Sequence, residues 1–134
     1  MENFAEAALR HWKDANLLEK ENCVENADHH YGFAAECAIK KVLVRLPSFS
    51  CNGKLEKLYK EHVNMLWGKV NNQNLQKSYP LLYAFLKSPN PFSDWDANQR
   101  YAANGEITKV RMEQHKNSAK RLLGIANSKG VRKP

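Results

Sequence analysis

The segment ADHHYGFAAECAIKKVLVRL, residues 27–46, constrains this chain more than any other. At 100° per residue, Tyr31, Ala34, Ala35, Ala38, Ile39, Val42, Leu43 and Leu46 fall on one broad arc. Phe33, Cys37 and Val44 form a second arc on nearly the opposite side, and His29, Glu36 and Lys40 separate the two along one edge. A helix that is apolar over most of its circumference needs neighbours on most sides, and alanines at 34, 35 and 38 let them approach closely. The pattern predicts the central helix of an all-α bundle of four to five helices. Glu36 and Lys40, four apart with the acid first, suit an i,i+4 pair worth a few tenths of a kcal/mol (~0.2–0.5) on an exposed surface.

Other helices follow from the same period. Residues 4–21 place Ala7, Ala8, Leu9, Trp12, Ala15, Leu17 and Leu18 mostly at helical spacing. Pro47 pushes the residue before it out of helical geometry, and Asn52-Gly53 completes a loop. A third helix is expected over residues 54–67, the polar stretch 68–79 reads as one more short helix, and Pro80 suits a first helical position. A last helix is expected over 106–126, with Ile107, Val110, Met112, Ala119, Leu122, Leu123, Ile125 and Ala126 on its apolar arc. No strand-like alternation stands out. The organisation expected is one helical domain over 1–126 and a basic, mobile tail over 127–134.

Charge is distributed unevenly. Residues 1–106 carry 13 basic and 13 acidic side chains, so the net charge of +7 resides in residues 107–134. A neutral body with a basic C-terminal fifth suits a polyanion-facing surface, or a solvated helix face with a frayed end. No apolar run reaches the ~18–20 residues that cross a bilayer, and the N-terminus has acids where a signal peptide has basic residues. Cys23, Cys37 and Cys51 form no CxxC pair. These features predict a cytoplasmic domain without membrane contact. No phosphate-cradling loop or dinucleotide fingerprint is present, so no cofactor is expected. His29-His30 point about 100° apart on a helix and cannot chelate one ion, His11 and His62 add no ligand spacing, and no metal is expected.

Arg111 and His115 fall near the middle of the last helix's apolar arc, away from the polar face of Lys109, Glu113, Lys116, Asn117, Lys120 and Arg121. An unpaired buried arginine costs several kcal/mol, so Arg111 must meet a partner, a groove or a subunit interface. At a spacing of four, guanidinium and imidazole can converge on one point. One meaning is a phosphodiester site, with His115 moving a proton and Arg111 neutralising charge. The other is structural, with Arg111 paired to Glu36 or another helix acid beside a satisfied histidine. Phe92, Trp95 and Tyr101 around Arg100 either stack bases or plug the end of the bundle with Arg100 anchoring the loop.

The run Ala34-Ala35-Glu36-Cys37-Ala38-Ile39-Lys40 resembles the second helix of HEPN domains, the higher eukaryote and prokaryote nucleotide-binding fold. Ala15-Asn16-Leu17-Leu18 looks like the family's first helix, LYKEHVNML with His62 is similar to its following segment, and Arg100-Tyr101 resembles the element before the last helix. The resemblance implies an antiparallel helical bundle, typically dimeric, found in toxin–antitoxin and phage-defence systems. Active members cleave RNA without a metal through an Arg-x4–6-His motif at a cleft between subunits, whereas Arg111 and His115 have three intervening residues. Members lacking the motif bind RNA, nucleotides or partner proteins. The expectation is a homodimer that binds RNA or nucleotide through Arg100, Lys109, Lys116, Lys120 and Arg121, with an antitoxin or nucleotidyltransferase as its implied partner. The alternatives are a metal-independent endoribonuclease using Arg111 and His115, and a non-catalytic protein-interaction module.

Overall fold

The computed structural model describes residues 2–70 and 72–127, and the described chain is an all-α bundle with one two-residue hairpin. Helix α1 (Phe4–Lys20) begins where the Asn3 side chain accepts the Glu6 N–H at 3.0 Å. It ends at a tight turn in which Asn22 adopts a positive φ of 62°. Helix α2 (Val24–Leu43) runs back against it and buries thirteen of its twenty residues. Tyr31, Ala35, Ile39, Val42 and Leu43 are fully enclosed, as the broad apolar arc predicts. Each large side chain among them contributes about 1.5–3 kcal/mol by leaving water.

Helix α6 (Lys109–Asn127) packs on the other flank of α2. Asp28 near the start of α2 meets His115, and Lys41 near its end bonds to Asn127. Thus α2 and α6 run in the same direction, while α1 and α2 are antiparallel. A parallel pair needs a long crossover, and residues 44–108 supply it. The basic tail expected over 127–134 lies outside the described residues from 128 onward.

That crossover departs from the expected helix over 54–67. Strands β1 (Ser50–Cys51) and β2 (Lys54–Leu55) pair as a hairpin across Asn52 and Gly53, both in the left-handed region at φ 53° and 76°. An Asn-Gly pair with two positive φ values makes the turn whose twist matches paired strands. A 3-10 turn (Lys57–Tyr59) and a single turn of helix, α3 (Val63–Leu66), follow. The Lys- and Glu-rich segment lacks a continuous apolar stripe: Leu55, Val63 and Leu66 are buried, whereas Leu58 and Met65 are exposed. Helices α4 (Gln73–Ser78) and α5 (Pro80–Leu86) are capped by Asn72 and opened by Pro80 respectively. Phe92 and Trp95 are wholly buried and close the bundle as the plug reading expects. Gly32 is required here, because a Cβ would lie 2.0 Å from the Trp95 indole. Val110, placed on the apolar arc by periodicity, is instead 67% exposed at the open start of α6.

Candidate functional site

Arg111 and His115 do converge, and the point of convergence is Asp94, in the loop after α5. His115 Nε2 lies 2.7 Å from Asp94 Oδ1, and Arg111 Nε lies 3.4 Å from Oδ2. On its other side, His115 Nδ1 lies 2.6 Å from Asp28 Oδ1, and Gln99 Nε2 donates to Asp28 Oδ2 at 2.6 Å. Phe92 stacks on the imidazole with centroids 5.1 Å apart. Both ring nitrogens face carboxyl oxygens, an arrangement that favours the imidazolium, whose two N–H groups both donate. Burial alone pushes the His115 pKa down, but the hydrogen bonds and charges of Asp28 and Asp94 outweigh it and leave it raised. The ring is fully buried, while Asp94 is half-exposed at the edge of a surface pocket shared with Arg111, Gln99 and Tyr101. The acid that receives Arg111 is therefore a loop aspartate and not Glu36.

Glu36 belongs to a second cluster, and its pair with Lys40 is buried where an exposed one is expected. Lys40 Nζ donates to Glu36 Oε2 at 2.9 Å; Glu36 Oε1 accepts the Val63 N–H at 3.1 Å and faces His62 Nδ1 at 3.0 Å. One carboxylate thus ties α2 to the N-terminus of α3. Cys37, the next residue, is buried, and burial pushes its thiol up to about 12, so it packs and is no nucleophile at neutral pH.

The basic residues divide by surroundings. Lys116 bonds Glu19 at 3.0 Å, and Arg121 lies over the Phe85 ring at 4.4 Å. Arg100 Nη1 donates to the Ala97 carbonyl at 2.8 Å, anchoring its own loop, and its guanidinium stacks on Tyr101, which is 76% exposed. Lys109 and Lys120 are exposed and have no ion pair among the described residues. Lys109, Lys116 and Lys120 stand at i, i+7 and i+11, within about 40° of one line along α6.

Asp28, Asp94 and Gln99 escape a search for catalytic spacing. Asp28 does carry a signal: it lies on the same arc of α2 as Ala35 and Ile39, and a carboxylate on an apolar arc demands a buried partner. The histidine contacts between helices carry none. His11 Nδ1 and His30 Nδ1 lie 2.9 Å apart, joining α1 to α2. Among the described residues no three or more His, Cys, Asp or Glu side chains are grouped to hold a metal ion. No protein-family model, curated protein or solved structure compared with this chain matches it.

Proposed function

We propose that the chain is a HEPN-like helical domain that binds RNA or nucleotide through the outer face of α6, as a homodimer in a toxin–antitoxin or phage-defence setting. An antitoxin or nucleotidyltransferase is the partner this reading implies. The carrying observation is the cationic line of Lys109, Lys116 and Lys120, two of them exposed without an ion pair among the described residues. That line belongs to the C-terminal segment that carries all of the net charge. The meeting of Glu36, Lys40 and His62 in one cluster supports the resemblance, because these are residues of the quoted HEPN-like segments.

The geometry favours binding over cleavage centred on His115. A general base must reach its substrate's proton, and this ring is enclosed with both nitrogens occupied. Binding of a labelled single-stranded RNA, followed by fluorescence anisotropy, tests the proposal. Affinity is expected to fall about tenfold or more between 50 and 200 mM salt. Lys109→Glu with Lys120→Glu should remove most of it. Affinity indifferent to salt and to both substitutions overturns the reading in favour of a protein-interaction module.

A further inference from the structure

Four of the five histidines gather around one half-buried ring, Phe33. Centroids of His29, His11 and His62 lie 4.6, 5.3 and 5.7 Å from that ring. His30 joins through His11 at 5.1 Å and His29 at 5.8 Å. Trp95 lies 5.3 Å from Phe33 and stacks on His29 at 17°. The histidines come from three separate elements: α1, α2 and the residue that precedes α3.

The chemistry of this patch is specific. Burial, then the charges of His30, Arg100 and His11, hold His29 down to about 4, and burial followed by the charges of His30 and Arg10 lowers His11. Both are neutral at pH 7. Lys40, the ammonium in the adjoining cluster, is committed to Glu36. At neutral pH His29 and His11 therefore offer aromatic faces and single hydrogen-bonding atoms. His62 is held by Glu36 through Nδ1, and its Nε2 has no hydrogen bond among the described residues. The ring is 53% exposed. With Nδ1 engaged by the carboxylate, Nε2 is the ring's open hydrogen-bonding atom. The Nδ1 of His29 is buried without a hydrogen-bond partner.

We infer that the patch framed by His11, His29, His30 and His62 around Phe33 is a nucleobase site, in which a planar heterocycle packs on the aromatic faces and hydrogen-bonds to His62 Nε2. It rests on the proposed function, whose ligand is an RNA or a nucleotide. Aromatic stacking with one or two hydrogen bonds is how splayed single-stranded bases are held.

The test uses the whole chain with nitrogen-15-labelled histidine, titrated to millimolar concentration with the four ribonucleoside 5′-monophosphates and with ribose 5-phosphate. At least one nucleotide is expected to shift the ring resonances of His29 and His62, leaving His115 unmoved, while ribose 5-phosphate shifts none. Phe33→Leu should weaken that nucleotide about tenfold. His62→Gln, at an exposed position that spares the core, should weaken it severalfold. Silence from all four nucleotides overturns the inference, as does an equal response to ribose 5-phosphate or unchanged binding in both variants. Salt-sensitive RNA binding with a silent patch removes this inference alone. A responsive patch with salt-indifferent RNA binding removes the α6 reading alone.

Discussion

His115 and His29 are linked through Asp28 and Trp95, and what faces each ring sets its charge. His115 lies between two carboxylates, which raise its pKa despite complete burial. His29 is less buried, faces other imidazoles and a guanidinium at a distance, and is held near 4. Burial pushes both in the same direction, and only the neighbours differ. Opposite charges beat desolvation at the first site; like charges reinforce it at the second. A histidine in a core is therefore uninformative until its partners are known. Trp95 belongs to both regions, stacking on His29 while its Nε1 donates to the Asp28 carbonyl at 3.1 Å.

The strongest way to break this contrast is to remove Asp28, which is wholly buried and serves both His115 and Gln99. Asp28→Ala should cost about 3–5 kcal/mol in urea unfolding, because it strands a buried charge. His11→Ala, which removes one hydrogen bond on the other side, should cost only about 1 kcal/mol. Comparable losses at the two positions would erase the contrast. Gly32→Ala strikes Trp95, which touches both regions. The added Cβ would overlap the buried indole, and about 3 kcal/mol of destabilisation is expected, with loss of the Trp95 near-ultraviolet signal. An unperturbed signal would mean that the methyl is accommodated without moving the indole.

The smallest effect sharpens the comparison through pH. The folded His115 pKa is raised, so its contribution is complete below about 6.5 and fades as pH rises through the folded value. The folded His29 pKa is lowered, so its contribution is complete above about 6.5 and fades as pH falls toward 4. Melting temperature should therefore pass through a maximum near neutrality. Asp94→Asn should bring the alkaline decline to lower pH, and His29→Gln should flatten the profile between pH 6.5 and 4. If His29→Gln alters only the alkaline side, the assignment of the two regions is reversed.

The long helices were legible because each carries many turns of one period. The central role of α2 is plain from an apolar circumference, and the observed burial of thirteen residues follows from it. The segment after Pro47 was not legible, since elements of two to four residues owe their form to contacts with α2 and to the Asn52-Gly53 turn. The Asn-Gly pair was itself a hairpin signal, masked by the short strands on either side. At the site, the spacing of four between Arg111 and His115 correctly brings them to one point, but the acid there stands on a loop that no periodicity places. Asp28 and His115 are 87 positions apart. Only the demand that each buried charge find a partner links them in the sequence.

One consequence of the parallel pairing of α2 with α6 concerns synthesis. Helix α2 is finished at Leu43, whereas α6, which covers its second flank, ends at Asn127. At ~5–20 residues per second the ribosome needs roughly 4–17 s to supply the intervening chain. During that interval α1 shelters one side of α2 and the other stays open. The nascent hairpin is then the species at greatest hazard of aggregation, and a chaperone that shields apolar helices would act on it before the last helix emerges.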